Sequence, residues 1–162
     1  NEGFHILCYF KKIEDALEFD HKIEQLIEKT TYDVQYYGEQ QIVDINDEVI
    51  DLYPYLLSPN LSINLETLKH ELKDYEHLLF YAHVDRKTNS GLENIKKDPL
   101  NGIEISYQGS NEFIIENHLS KQKIIYNSDA HQIVDILEKT SRNQIDLEEL
   151  NVESFFRYFN HG

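Results

Sequence analysis

Apolar positions along this chain follow two rhythms, short continuous runs and recurrences every three or four residues, and the two take turns. Phe4-His5-Ile6-Leu7-Cys8-Tyr9-Phe10 is β-branched, aromatic and almost wholly apolar, which predicts a strand covered on both faces. Lys12 to Lys29 then places Ile13, Ala16, Leu17, Ile23, Leu26 and Ile27 at helical steps, with Glu and Lys between them. Strand then helix is half of a βαβ unit. Residues 31–60 break the rhythm: Gln41-Ile42-Val43-Asp44-Ile45 and Glu48-Val49-Ile50-Asp51 flank Asn46-Asp47 and predict a β-hairpin, followed by an irregular connection through Tyr53 to Pro59. Ser62 is the expected N-cap of a helix running to about Tyr75. Strands are expected at Leu78–Ala82, Gly102–Ser106 and Lys123–Tyr126, with a helix from Phe113 to Leu119 before the last. Lys87 to Leu100 reads as a loop with a short helical turn near Leu92–Lys96. A turn around Ile133, Ile136 and Leu137, a last strand at Gln144–Leu147 and a helix from Val152 to Phe159 complete the expected order, with His161 in a frayed tail.

At 162 residues, 40% of them hydrophobic, the chain fits one domain with a real core, residues 1–162. Its net charge of −15 disfavours non-specific nucleic-acid binding, which depends on Lys and Arg neutralising phosphates. A phosphorylated substrate stays admissible, because bound divalent cations reverse the local field. Cys8 is the only cysteine, so no internal disulfide can form and a reducing compartment is expected. No signal peptide and no apolar run of about 20 residues occurs, so no membrane span is expected and the location is read as cytoplasmic. The chain contains no methionine and begins Asn-Glu-Gly straight into a strand, which predicts a piece of a longer protein, or a processed product, with its beginning removed.

The candidate chemistry gathers at strand ends. His5 is the one hydrophilic side chain of its run, His83 follows Leu78–Ala82, and Asp129 and His131 follow Lys123–Tyr126. Each histidine alone reads equally as a core imidazole with a satisfied hydrogen bond. In a parallel barrel or sheet, strand ends lie on one face, and imidazoles with a carboxylate suit Zn, Mn or Fe. Glu104, between Ile103 and Ile105, faces opposite to them, either into a barrel lumen or onto a salt-bridged or solvated edge. Asp85 and Arg86 read as a surface pair. Tyr32, Tyr36, Tyr37, Tyr53 and Tyr55 either line a pocket or pack the excursion onto the body. His21, His70, His77 and His118 sit among charged neighbours and read as surface residues.

Phe-His-Ile-Leu-Cys-Tyr-Phe (4–10), Gly-Glu-Gln-Gln-Ile-Val-Asp (38–44), Tyr-Ala-His-Val-Asp-Arg (81–86), Gly-Ile-Glu-Ile-Ser (102–106) and Asn-Ser-Asp-Ala-His (127–131) together resemble the polymerase and histidinol phosphatase (PHP) superfamily, in the order and spacing of its stand-alone phosphoesterases. The resemblance spans about residues 3–137, and Ala-His-Val-Asp-Arg with Ser-Asp-Ala-His is its most specific part. It implies an α/β fold, the C-terminal part of a distorted seven-stranded (β/α) TIM-like barrel with a β-hairpin excursion. It implies a rim holding up to three divalent metal ions (Zn, Mn or Fe). By motif, His5 and His83 would bind one metal, Asp129 a second and His131 a third, while Arg86 would contact substrate phosphate. The family's His-x-His, its Asp-His pair and its bridging Glu would all precede residue 1, so a missing N-terminal segment or another chain would have to complete the barrel and the ligand set.

The resemblance implies a hydrolase of phosphate esters, small-molecule or nucleotide, in which metals activate water and clamp the phosphoryl group, with Asp129, His131 and Arg86 serving catalysis. No Gly-x-Ser-x-Gly elbow occurs, and Cys8 lies inside an apolar strand, so neither supplies a nucleophile. The rival is a catalytically inactive PHP-like module with a binding or structural role, favoured by the ligands this chain lacks.

Overall fold

Leu78, Leu79, Phe80 and Tyr81 are apolar on both sides of a pleat, and a strand of that kind is stable only with cover on both faces and neighbours on both edges. The computed structural model describes residues 3–56, 61–130, 133–136 and 142–160. In it the chain runs β1 (Ile6–Phe10), α1 (Ile13–Glu24), α2 (Val34–Tyr37), β2 (Gln41–Val43), β3 (Val49–Leu52), α3 (Leu65–Glu71), β4 (His77–Tyr81), β5 (Gly102–Ser106), α4 (Asn111–Glu116), β6 (Ile124–Asn127) and α5 (Val152–Asn160), with 3₁₀ turns at Leu92–Asn94 and Ile133–Asp135. Leu78 to Tyr81 are buried, and β4 stands between β1 and β5 in a sheet of order β1-β4-β5-β6. The class is mixed α/β, with β2 and β3 as a separate two-stranded hairpin. Among the described residues the four-stranded sheet does not close into a barrel.

Two compact units make up the chain: Leu17–Glu71, and Glu2–Ala16 together with Leu72–Gly162. The second holds the sheet. One of its faces is sealed by α5, whose Phe156 and Phe159 form a cluster with Leu78, Phe80 and Ile125, with Leu7 and Tyr9 packed against it. The Phe80 and Phe159 rings meet edge to face at 4.9 Å. Gly102 is required where β5 passes Phe80: a Cβ there would lie 2.4 Å from the Phe80 ring and 2.7 Å from the Lys123 carbonyl oxygen. In the first unit Phe19, Leu65 and Leu68 are buried. No helix among the described residues is long and apolar enough to cross a membrane.

Several expectations are corrected. β4, β5 and β6 are parallel, but β1 is antiparallel to β4, so β1 and α1 do not open a βαβ unit. The register pairs Phe10 with His77, and the Lys11 amide donates to the Glu76 carbonyl at 3.0 Å. The chain thus returns to the end of the sheet it left, and Leu17–Glu71 is an insertion in what is otherwise a hairpin connection. β1 is not covered on both faces: every residue in it is half-buried, and among the described residues it pairs with β4 alone. The cap of α3 is Asn64, whose Oδ1 accepts the Thr67 amide at 2.8 Å, and the helix stops at Glu71. Ser62 instead donates its amide to Leu26. α4 starts earlier than expected, on Ser110 Oγ, and ends before His118, which takes a left-handed φ of 59°. Residues 144–147 form no strand, and α2, capped by Asp33, was not expected. Leu57, Pro59, Leu137 and His161 lie outside the described residues.

Candidate functional site

Because β1 is antiparallel, its beginning lies beside the end of β4. Ile6 pairs with Tyr81, and the Ala82 amide donates to the His5 carbonyl at 3.1 Å. His5 and His83, 78 residues apart, therefore come together: His5 Nδ1 is 3.0 Å from His83 Nε2, with the rings at 73°. His5 is exposed, whereas His83 is 4% exposed.

The backbone that presents His83 is unusual. Its φ is +31°, a left-handed value that costs a non-glycine residue about 1 kcal/mol or more. Glu104 holds it there. The Glu104 carboxylate accepts the His83 amide at 3.0 Å, and the Glu104 carbonyl accepts the Val84 amide at 2.9 Å. The other carboxylate oxygen accepts Asn127 Nδ2 at 2.5 Å. Glu104 is 4% exposed, so it forms neither a solvated edge nor a salt bridge; its charge is met by two N–H donors from the ends of β4 and β6. Tyr9 joins this layer: burial pushes its hydroxyl up, the Glu104 charge adds to that, and a hydrogen bond with Asn127 opposes it.

The neighbouring loops are tied in the same manner. Asp85 accepts the Ser106 amide at 2.8 Å and makes a short bond with the Ser106 hydroxyl, so it is not paired with Arg86. Gly109 lies against this bond, and a Cβ there would come within 2.9 Å of the Asp85 carboxylate. Arg86 crosses to Asp129 at 2.5 Å. Asp129, like His83, has a left-handed backbone, with φ +49°. Arg86 and Asp129 line a cleft of about 510 Å³ beyond the carboxyl ends of β5 and β6, shared with Ser106, Tyr107 and Gln108. Such a crevice is where open parallel sheets bind ligands. Arg142 ties the loop after β5 to β6. Its guanidinium stacks 4.0 Å over the Tyr126 ring and donates to the carbonyls of Tyr107 and Gly109.

Sequence reasoning had named His5, His83, Asp129 and Arg86, and the structure brings them into two pairs at one end of the sheet. His131 lies outside the described residues. Of the histidines read as surface residues, His21, His70 and His118 are exposed, while His77 is half-buried, with Nδ1 2.8 Å from the Tyr75 carbonyl oxygen. Asn127, Ser106 and Arg142 were missed. Asn127 stands inside Asn-Ser-Asp-Ala-His, two residues before Asp129, and Ser106 ends Gly-Ile-Glu-Ile-Ser; Arg142 acts through contacts that no local pattern announces.

No family model, no curated protein and no solved structure matches this chain.

Whether these residues suit a divalent cation can be judged from His83. Two neutral imidazoles share only one proton across a 3.0 Å contact, and His83 Nδ1 is buried with no hydrogen-bond partner among the described residues. Whichever tautomer forms, one buried nitrogen is orphaned, a state that calls for a water or an ion. Two nitrogens bound to one tetrahedral zinc lie about 3.3 Å apart, close to the observed spacing. The pair therefore fits as two ligands. Among the described residues no group of three His, Cys, Asp or Glu side chains is gathered around one point, so further ligands would have to come from elsewhere. Cys8 is unsuited to nucleophilic chemistry, because burial pushes its thiol up to about 12.

Proposed function

We propose that this chain carries part of the metal site of a PHP-type hydrolase of phosphate esters, acting on a phosphorylated small molecule or nucleotide. The convergence of His5 Nδ1 and His83 Nε2 at 3.0 Å is the observation that carries this reading. His5 and His83 would hold one cation, and the resemblance assigns Asp129 and His131 to others. Divalent ions bound there would lower the pKa of a water and neutralise the phosphoryl oxygens. Arg86, at the cleft, supplies the cation that meets phosphate. Glu104 and Asp85 fix the loops that carry these side chains. A closed barrel and the remaining ligands belong to this proposal, supplied by a preceding segment or a second chain.

The Arg86–Asp129 ion pair favours a second reading, a binding or structural module in which that carboxylate serves the fold. Metal analysis and turnover decide between them. The complete protein, including the segment or chain that closes the barrel, purified without chelator, is expected to carry stoichiometric Zn, Mn or Fe and to release phosphate from aryl phosphates or nucleotides. Asp129→Ala is expected to abolish release while the chain stays folded by circular dichroism. Absence of both metal and phosphate release overturns the enzyme reading, and unchanged turnover in Asp129→Ala overturns the site.

A further inference from the structure

The β2–β3 hairpin exposes every residue in both strands. Its register pairs Gln41 with Leu52 and Val43 with Val49, and a shift between Ile42 and Val43, which leaves Ile50 without a partner in the ladder, puts Val43, Val49 and Leu52 on one face. These side chains remain 47%, 51% and 47% exposed. A two-stranded hairpin is marginal in water, and three strands or a packed face are needed for it to stand alone. β2 and β3 pair only with each other among the described residues, so each has an edge available for another strand.

The charge around this surface selects its partner. Residues 30–64 contain Asp33, Glu39, Asp44, Asp47, Glu48 and Asp51 but no Lys, Arg or His. All six carboxylates are exposed except that of Asp44, which is half-buried. A second copy would set six carboxylates against six, and nucleic acid or an anionic lipid surface would add further negative charge. An extended polypeptide with apolar residues alternating with Lys or Arg matches both features: its backbone extends the ladder, its apolar side chains flank Val43, Val49 and Leu52 on their face, and its cations meet the acidic rim.

We infer that the β2–β3 hairpin is a docking edge for a basic, extended segment of a partner protein, added as a third strand. This surface lies wholly within Leu17–Glu71 and stands independently of the metal reading.

Fluorescence anisotropy on the full chain tests it with three nine-residue peptides alternating Lys-Val, Lys-Ser and Glu-Val. Lys-Val is expected to bind about tenfold or more tighter than Lys-Ser, and Glu-Val not at all. Val49→Thr keeps the β-branched shape but makes the face polar, and Val49→Asp also adds a negative charge. Both are expected to weaken Lys-Val binding, whereas attraction by charge alone would leave Val49→Thr unchanged and tighten Val49→Asp. Hydrogen exchange is expected to slow in residues 41–52 when Lys-Val is present. Equal affinity for Lys-Ser and Lys-Val, tighter binding by Val49→Asp, or protection confined to other residues overturns the inference. Self-association of the chain that Val49→Asp abolishes overturns it in favour of a second copy.

Discussion

Glu104 and Asp44 stand in nearly the same sequence, one within Ile-Glu-Ile and the other within Ile-Val-Asp-Ile, yet they do opposite things. Glu104 is 4% exposed and joins the ends of β4 and β6 through the His83 amide and Asn127. Asp44 sits at a hairpin turn, where it accepts the amides of Asn46 and Glu48 at 2.8 and 3.0 Å. Those bonds hold its carboxyl below the usual range, the Glu48 amide first. A carboxylate among β-branched neighbours thus becomes the buried keystone of a site or the local cap of a turn. Only the neighbouring strands decide which, since β5 lies between two strands and, among the described residues, β2 and β3 pair only with each other.

The largest expected effect breaks the comparison at Glu104. Glu104→Ala leaves the His83 amide and Asn127 Nδ2 without their acceptor in a buried layer, a loss of about 3 kcal/mol or more by urea unfolding. Glu104→Gln keeps an acceptor for His83 and is expected to lose less, while shifting the His5 and His83 ring resonances. If Glu104→Ala unfolds no more easily than a surface variant, the carboxylate is not what holds the two loops.

A middle-sized effect separates the units by pH. The Cys8 thiol, pushed up to about 12, and the raised Tyr9 hydroxyl are both favoured neutral in the folded sheet. A folded pKa above the unfolded value means that their contribution is complete below the ordinary thiol and phenol range. It is lost as pH rises through the folded values. The urea midpoint is expected to fall between about pH 8 and pH 11, and to fall less in Cys8→Ala. An unchanged difference between Cys8→Ala and the native chain across that range would refute the burial argument.

The smallest effect concerns the hairpin at acid pH. The lowered Asp44 carboxyl contributes stability above the ordinary carboxylate pKa and loses it as pH falls through the folded value. Asp44→Asn is expected to speed amide exchange at Asn46 and Glu48 slightly at neutral pH, without moving the global unfolding midpoint. A large global shift would mean that the turn is tied to more than its own strands.

The sequence alone determined what local physics decides. Periodicity and β-branching identified the apolar strands at 4–10, 78–82, 102–106 and 123–126, the helices around them, the Asn46-Asp47 hairpin and the aromatic face of Val152 to Phe159. Strand-end placement singled out His5, His83 and Asp129, because residues that leave a buried run must meet either solvent or a partner. Direction and partnership required tertiary structure. The antiparallel course of β1 depends on where a long insertion returns the chain, and that reversal is what sets His5 against His83. The burial of Glu104, the crossing of Arg86 to Asp129 and the contacts of Arg142 depend on neighbours 21 to 43 residues away in the chain. Desolvation and hydrogen bonding at those positions are set by which strands lie side by side, a nonlocal fact that no window along the chain contains.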